Sequence, residues 1–186
     1  MLERVLVANR GEIACRILRA CKEAGIETIA IHAKNDSGSL FCELADLSIQ
    51  LEGEGITETY LNQRQILDIA KQYNADSIHP GFGFLSERAD FAQAVIDSGL
   101  VWIGPSPDAI KNMGDKMTAR ISMRNADVPV IPGEEVDGGL EEVLLAAGRV
   151  GYPLLLKATS GGGGKGMRAV SDPALLESEA KSAMRE

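Results

Sequence analysis

Short apolar runs alternate with segments of helical periodicity along the first two-thirds of the chain. The apolar runs predict strands at residues 4–8, 28–32, 44–51, 75–79 and 101–103. Between them, apolar positions recur every three or four residues and predict helices at 12–24, 60–73 and 87–98. Strands that alternate with helices are typical of a doubly wound parallel sheet. We therefore predict an α/β fold in which the all-apolar segment 4–8 is a central strand.

Two of the predicted helices have an apolar face that should pack against this sheet. The candidate core residues of the first helix are Ile13, Ile17, Ala20, Cys21 and Ala24. Those of the second are Leu61, Ile66, Leu67, Ile69 and Ala70. The first helix should end at Gly25, because glycine readily takes the left-handed conformation that terminates a helix.

A second unit is predicted after a boundary rich in proline and glycine. Helical turns at 107–125, broken near Gly114, lead to the boundary residues Pro129, Pro132, Gly133, Gly138 and Gly139. Beyond them we expect a short strand near Val130, a helix at 140–150, and strands at 151–157 and 167–170 around a glycine loop. Asp172 before Pro173 predicts a helix start, with Asp172 as N-cap. This helix runs to residue 186 without a stop signal, which suggests a polypeptide cut within a domain. The predicted division is 1–113, a helical linker at 114–129, and a partial domain at 130–186.

Composition and charge exclude several classes of protein. Hydrophobic residues make up 45% of the chain, which is enough for a core and too much for disorder. The formal net charge of -8 and the lack of a basic patch disfavour nucleic acid and anionic membranes as partners. No apolar run reaches the roughly 18 residues of a membrane span, and no signal peptide is apparent. The three cysteines Cys15, Cys21 and Cys42 have no metal-ligand spacing and are typical of reduced cytosolic thiols.

Residues 157–167, Lys-Ala-Thr-Ser-Gly-Gly-Gly-Gly-Lys-Gly-Met, carry the strongest signal for chemistry. Consecutive glycines between two apolar strands expose bare backbone N–H groups, which can cradle phosphate, and Lys157 and Lys165 add positive charge. A Walker A loop is excluded, since Thr159 stands in place of its first glycine and Gly166 in place of its hydroxyl residue. A dinucleotide-binding glycine motif must open a helix, whereas a strand is predicted here. A flexible linker is the remaining alternative, but linkers avoid flanking apolar strands.

Five motifs in order along the chain resemble the N-terminal part of biotin carboxylase, a member of the ATP-grasp superfamily. They are residues 5–14 (VLVANRGEIA), 79–87 (HPGFGFLSE), 102–106 (WIGPS), 113–116 (MGDK) and 157–167. The resemblance covers essentially the whole chain. It implies a Rossmann-like pre-ATP-grasp domain followed by the start of an ATP-grasp lid. Phe82 stands where many members of the family have tyrosine.

The resemblance also implies an activity and its participants. In the family, ATP and bicarbonate give carboxyphosphate and ADP, and the carboxyl group is then transferred to biotin on a carrier protein. The implied cofactors and substrates are ATP, Mg²⁺ or Mn²⁺, bicarbonate and carrier-bound biotin. The implied partners are the biotin carboxyl carrier protein, carboxyltransferase subunits or domains, and a second copy of the chain. The expected location is the cytoplasm, or the mitochondrial matrix if a transit peptide has been removed.

Site residues follow from the matched motifs. By resemblance, the ATP-binding residues are Lys116, Lys157, Gly163 and Gly164, and the glycine flap also includes Gly161, Gly162, Lys165, Gly166 and Met167. Arg19 and Glu23 are candidates for the dimer interface, or they form only an intrahelical ion pair. Glu87 is a candidate cleft residue, because it follows a strand of the sheet; the alternative is that it caps the next helix behind Ser86, with His79 as a structural residue.

No metal ligand or catalytic residue is assigned within the chain, because the family's magnesium and bicarbonate ligands match nothing up to residue 186. We therefore expect the isolated 186-residue chain not to turn over. Two other functions stay open: another ATP-grasp ligase, and a non-catalytic module for dimerisation or docking. A dinucleotide-dependent oxidoreductase is disfavoured, since the first strand–helix turn at residues 9–13 lacks the glycine fingerprint.

Overall fold

The computed structural model describes residues 2–114, 116–136, 138–157 and 167–184, with the backbone alone at 116 and 117. A five-stranded parallel sheet lies at the centre of its N-terminal part. The strands are β1 Arg4–Val7, β2 Glu27–His32, β3 Leu47–Gln50, β4 Ser77–His79 and β5 Val101–Trp102. Their order is β3-β2-β1-β4-β5, and all four pairings are parallel. This confirms the predicted α/β class and the central position of β1. The strand order reverses between β1 and β4, and ligands of open α/β sheets bind at such a position.

Helices connect these strands and continue beyond the sheet. They are α1 Gly11–Glu23, α2 Leu40–Leu44, α3 Gly55–Glu58, α4 Gln63–Gln72, α5 Ala89–Asp97, α6 Pro107–Gly114 and α7 Lys116–Asn125. Short 3-10 turns lie at Lys34–Asp36 and Phe84–Glu87. The chain divides into two compact units, Met1–Ala119 and Arg120–Glu186.

The core of the N-terminal unit lies on both faces of its sheet. Alternate side chains of β1 point to opposite faces, so that Leu6 joins one apolar cluster while Val5 and Val7 join the other. The Leu6 cluster contains residues of α4, α5 and β5, and the second cluster contains the apolar face of α1. Burial on both faces explains why β1 is a continuous apolar run rather than an alternating one.

Three predicted core residues are exposed instead. Leu61 is 36% exposed because α4 begins at Gln63, so that Leu61 precedes the helix and lies off its apolar face. Asn62 sets this start, since its side chain accepts a hydrogen bond from the backbone N–H of Gln65 at 3.1 Å. Ala20 and Ala24 lie outside the buried stripe of α1, and Ala24 is its C-cap.

The C-terminal unit contains an antiparallel pair of strands packed against helices. Its elements are α8 Leu140–Val150, β6 Leu154–Lys157, β7 Met167–Val170 and α9 Leu176–Ala183. Leu154, Leu156 and Val170 pack with Ala147 of α8 and Leu176 of α9 in one apolar cluster. The predicted cap is confirmed, because the Asp172 carboxylate accepts from the backbone N–H of Ala174 at 2.9 Å. The chain there forms a 3-10 turn, Pro173–Leu175, before α9 begins.

The strand predicted near Val130 is wrong. Residues 128–136 are described and include no strand. Pro129 and Pro132 have no backbone N–H to donate to a ladder. The guanidinium group of Arg120 instead donates to the carbonyl oxygens of Ile131 and Gly133, both at 2.9 Å. Among the described helices, none is both long and apolar enough to cross a membrane.

Candidate functional site

The strands β6 and β7 present an exposed face that we call the hairpin face, formed by Leu155, Lys157, Met167 and Ala169. The register places Leu155 opposite Ala169, and Lys157 opposite Met167. Leu155 is 48% and Met167 46% exposed, while the alternate residues of both strands point towards α8 and α9. The result is an apolar surface with one ammonium group at its end, where the glycine run begins.

A cleft of about 800 Å³ adjoins this face in the C-terminal unit and is lined mainly by apolar side chains. Its charged lining residues are Arg120, Glu134 and Lys157. Arg120 is bonded to backbone carbonyls, and Glu134 pairs with Arg149 at 2.6 Å. Lys157 has no hydrogen-bond or ion-pair partner within the described residues, so its ammonium group is available for an anionic ligand.

Most of the predicted phosphate-binding residues cannot be compared with this geometry. Gly161, Gly162, Gly163, Gly164, Lys165 and Gly166 lie outside the described residues. Lys116 is the first residue of α7, and its side chain lies outside them as well. Met167 is the first residue of β7 and is exposed. ATP contacts by all of these residues stay predictions.

A second group of polar residues lies at the carboxyl ends of β1 and β4 in the N-terminal unit. Asn9 follows β1 and is only 3% exposed. Its Nδ2 donates to the carbonyl oxygens of Pro80 at 2.6 Å and Phe82 at 2.9 Å. Its Oδ1 accepts from the backbone N–H of Arg10 at 2.9 Å. One amide side chain therefore joins the end of β1 to the loop after β4.

The main chain of this loop approaches Asn9 too closely for any side chain at Gly81. Gly81 has φ +67°, and a Cβ atom there would lie 2.7 Å from Asn9 Nδ2. The N–H of Gly81 donates to Nδ1 of His79 at 3.0 Å. Burial lowers the pKa of His79 below its usual value. The imidazole is therefore held neutral, as an acceptor at Nδ1 must be.

Four side chains from different elements meet beside this loop: Arg10, Asp36, Tyr60 and Phe84, which we call the strand-end cluster. The Tyr60 and Phe84 rings stack with centroids 5.2 Å apart and 5° between their planes. The Tyr60 hydroxyl donates to Asp36 at 2.6 Å and accepts from the backbone N–H of Ala33 at 3.0 Å. Arg10 donates to Asp36 at 3.1 Å, and its guanidinium carbon lies 5.7 Å from the centre of the Tyr60 ring.

Electrostatics in the strand-end cluster favour an ionised Asp36. Burial alone would raise the pKa of Asp36, but the hydrogen bonds from Tyr60 and Arg10 and the charge of Arg10 outweigh it and lower that pKa. Burial and the hydrogen bond to Asp36 raise the pKa of Tyr60. Tyr60 therefore remains a neutral donor to a carboxylate, which is a strong type of hydrogen bond.

Glu87 is exposed and is the last residue of the 3-10 turn in the same loop. The N-cap of α5 is Arg88, and it makes no side-chain capping bond. Within the described residues the Glu87 side chain makes no hydrogen bond, so the structure does not show it capping α5. Its place in a substrate cleft stays a prediction.

Arg19 and Glu23 are both exposed on α1, and no ion pair joins them in the described part of the chain. Their side chains are thus available on the outer surface of the helix. A role in a dimer interface stays a prediction.

Sequence reasoning did not find the contacts of Asn9 and Arg10 with Pro80, Tyr60 or Asp36. No local pattern predicts these contacts, because they join residues 26 to 71 positions apart. The available signal was topological: polar residues that follow neighbouring parallel strands meet at one edge of the sheet.

The described residues do not fit a magnesium ion. Within the described ranges no group of three or more His, Cys, Asp and Glu residues could hold a metal. We therefore assign no chemical step of this part of the chain to a metal.

Comparison with known families matches nearly all of the chain. Residues 1–110 match the biotin carboxylase N-terminal domain, and residues 115–186 match the ATP binding domain of the carbamoyl-phosphate synthase L chain. Biotin carboxylase of Pseudomonas aeruginosa is 49% identical over 97% of this chain and 41% of its own length. The mitochondrial methylcrotonoyl-CoA carboxylase subunit alpha of Oryza sativa is 47% identical over 100% of this chain and 25% of its own length.

Solved structures give the same result. A biotin carboxylase from Campylobacter jejuni, in a complex named β-γ-ATP, has a TM-score of 0.88 and 41% identity, with 100% of this chain and 42% of that chain covered. The biotin carboxylase domain dimer of 2-oxoglutarate carboxylase from Hydrogenobacter thermophilus, with MgADP and bicarbonate, has a TM-score of 0.86 and 42% identity, over 100% and 41% of the two chains. The chain thus spans at most about two-fifths of the length of these relatives.

Proposed function

The chain belongs to the biotin carboxylase family, and from that premise we propose that the complete protein is an ATP-dependent biotin carboxylase. In the proposed reaction an oxygen of bicarbonate attacks the γ-phosphorus of ATP, and ADP leaves. The carboxyl group of the resulting carboxyphosphate is then transferred to N1′ of biotin as its bond to the phosphate oxygen breaks. The N1′ proton passes to the leaving phosphate, which is released as inorganic phosphate. Biotin is attached to a carrier protein.

The observation that carries this proposal is the hairpin face with Lys157, which has no partner among the described residues and is the first residue of the glycine-rich segment 157–167. The transferring γ-phosphoryl group bears negative charge on its oxygens, and catalysis of such transfers depends on positioning and on offsetting that charge. The ammonium group of Lys157 has no competing partner among the described residues and is exposed. The apolar surface of Leu155 and Met167 beside it would accommodate the uncharged part of a nucleotide. We propose that Lys116, Gly163 and Gly164 complete the phosphate contacts.

The test uses the complete protein with MgATP, bicarbonate and free biotin, and follows ADP release. We expect ADP release that requires bicarbonate and is increased by biotin. Lys157→Ala should lower kcat/KM for ATP at least tenfold, about 1.4 kcal/mol, because a charge-assisted contact to phosphate is lost. The matched control is Lys71→Ala, which removes an exposed lysine of α4.

Two results would contradict the proposal. A complete wild-type protein without bicarbonate-dependent ADP release is not a biotin carboxylase. Equal kinetics in Lys157→Ala and Lys71→Ala would remove Lys157 from the nucleotide site. The isolated 186-residue chain should show no turnover in the same assay, and turnover by it would refute that expectation.

We propose further that the complete protein works with a biotin carboxyl carrier protein and a carboxyltransferase, and as a homodimer through the exposed surface of α1 that carries Arg19 and Glu23. The relatives support this, since they include a biotin carboxylase domain dimer and a carboxylase subunit. The cytoplasm is the proposed location. Cys15, Cys21 and Cys42 form no disulfide in the structure, as expected of thiols in a reducing compartment.

A further inference from the structure

We propose that Asn9 is a positioning residue that fixes the loop Pro80–Glu87 for transfer of the carboxyl group to biotin. The inference rests on the proposed function and deepens it. It comes from the contacts of Asn9, the backbone of the loop, and the residues that the loop presents.

Asn9 meets the loop with every polar atom of its side chain in use. The two hydrogens on Nδ2 go to the carbonyl oxygens of Pro80 and Phe82, and Oδ1 takes the N–H of Arg10. Only an amide supplies two donors and an acceptor in this arrangement. Aspartate would place a carboxylate against two carbonyl oxygens, and alanine would leave all three backbone groups without this partner. The side chain is 3% exposed, so water cannot readily replace it.

Gly81 closes this contact from the other side. It lies between the two carbonyl groups that Asn9 holds, with φ +67°, and has no room for a Cβ atom. Asn9 and Gly81 therefore act as one clamp: the first side chain fits only because the second residue has none. The two hydrogen bonds from Asn9 thus tie the end of β1 to the loop on both sides of Gly81.

Phe84 is the second point at which the loop is held. Its φ of +45° lies in the left-handed region, which is unfavourable for an aromatic residue. Such strain persists where the surroundings enforce it, and here the Phe84 ring stacks on Tyr60, which is 1% exposed and is bonded to Asp36. Phe82 lies between the two anchors and is 61% exposed. The frame thus holds a short segment of backbone rigidly and leaves one aromatic ring free to meet a ligand.

The loop presents chemistry that suits biotin rather than ATP. Residues 80–87, Pro-Gly-Phe-Gly-Phe-Leu-Ser-Glu, contain no lysine or arginine and end in a carboxylate. Such a segment offers no cationic side chain to phosphate, whereas an exposed phenyl ring can pack against an uncharged, flat ring such as the ureido ring of biotin. Loss of the Asn9 clamp should therefore affect the biotin-dependent step and spare the use of ATP.

The experiment measures steady-state kinetics of the complete protein with free biotin, together with its biotin-independent, bicarbonate-dependent ATP hydrolysis. Asn9→Ala, Asn9→Asp and Gly81→Ala should each lower kcat/KM for biotin about tenfold or more, while KM for ATP and the biotin-independent rate stay within twofold. Gly99→Ala is the matched control for backbone strain, since Gly99 has φ +77° with open space around it. It should behave as wild type in both assays.

The double variant Asn9→Ala with Gly81→Ala tests the clamp itself. Asn9→Ala removes the two atoms nearest to a Cβ at Gly81, Nδ2 and Cγ, and leaves Cβ at 3.1 Å. The combined loss should therefore be at least threefold smaller than the product of the two single losses. A fully multiplicative loss would refute the clamp. Hydrogen exchange of residues 80–87 gives a second readout, and it should be faster in Asn9→Ala than in wild type.

The outcomes separate this inference from the proposed function. An active wild type whose folded Asn9 and Gly81 variants keep kcat/KM for biotin within twofold would overturn the role of Asn9. Equal losses for ATP and biotin would also overturn it, because they would indicate general disruption. If the wild type lacked biotin-dependent turnover, the proposed function would fail. Hydrogen exchange at residues 80–87 would then still test the clamp. Faster exchange in Asn9→Ala than in wild type would support the clamp, and unchanged exchange would refute it.

Discussion

Removal of one hydroxyl group, in Tyr60→Phe, should destabilise the N-terminal unit by about 2 to 4 kcal/mol. The hydroxyl makes two hydrogen bonds, as donor to Asp36 at 2.6 Å and as acceptor from the backbone N–H of Ala33 at 3.0 Å. A bond to a charged group contributes about 1.5 to 3 kcal/mol and a neutral bond about 0.5 to 1.5. The aromatic ring is retained, so the stack with Phe84 is not removed and packing loss does not add to this value.

The assay is urea unfolding of the 186-residue chain, followed by the fluorescence of Trp102. This is the single tryptophan of the chain, and it is buried in the N-terminal unit. Tyr73→Phe is the matched control, since the Tyr73 hydroxyl has no partner in the described residues, and its effect should stay within about 0.5 kcal/mol. Equal unfolding free energies for the two variants would refute the reasoning.

The same variant should change the acid sensitivity of the protein. The folded pKa of Asp36 is lowered, so its contribution to stability is fully present above the unfolded value of about 3.9 and is lost as pH falls through the folded pKa. Loss of the Tyr60 hydrogen bond raises the folded pKa of Asp36. The difference in stability between wild type and Tyr60→Phe should therefore be largest above pH ~4 and shrink below it. A difference that grows on acidification would contradict the assigned ionisation.

Three further predictions concern other parts of the chain. The pKa of His79 is lowered on folding, so the folded state favours its neutral form and stability should fall as pH drops below about 6.5. In urea titrations, His79→Gln should reduce this dependence of stability on pH. An unchanged dependence would contradict the prediction. Asp172→Ala removes an N-cap and should weaken α9 by about 1 kcal/mol, measured as faster hydrogen exchange there; unchanged exchange would exclude a capping role. Reversal of either charge, Arg19→Glu or Glu23→Arg, should raise the dimer dissociation constant of the complete protein about tenfold, measured by sedimentation. The control Lys71→Glu should leave this constant unchanged. Equal dissociation constants for all three variants would remove α1 from the interface.

Local sequence patterns predicted two kinds of feature: helix ends that depend on one residue, and a strand whose burial on both faces makes it entirely apolar. The apolar run of β1 predicted its central position, because only a strand buried on both faces has no polar alternation. The stop at Gly25 and the cap at Asp172 predicted helix ends that the structure confirms to within a few residues. The strand near Val130 failed, since a strand exists only with a partner and its residues bond to Arg120 instead. The resemblance to biotin carboxylase is confirmed by the family matches over both parts of the chain.

Residues of the candidate site were also predicted only where their signal in the sequence is local. Lys157 was found because its signal is local: an apolar strand that ends in lysine and is followed by glycines. Asn9, Tyr60 and Asp36 were not recognised as partners of the loop after β4. Their bonds depend on the order in which distant strands assemble, and a hydrogen bond across 71 residues leaves no periodicity in the sequence. Two of the matched motifs, residues 5–14 and 79–87, contain Asn9 and the loop, but a motif match does not reveal the contact between them.

The strand order has a consequence for how the protein is made. β1 leaves the ribosome before the other strands of its sheet, yet one of its two neighbours, β4, begins about 70 residues after β1 ends. At synthesis rates of roughly 5 to 20 residues per second, the open edge of this apolar strand waits about 4 to 14 seconds for its partner. During that interval the nascent chain carries an apolar strand whose backbone N–H and C=O groups are unpaired along one edge. Other chains can pair with that edge. Dependence on chaperones that bind nascent chains is thus expected from the topology, and slower translation between residues 32 and 77 should increase it.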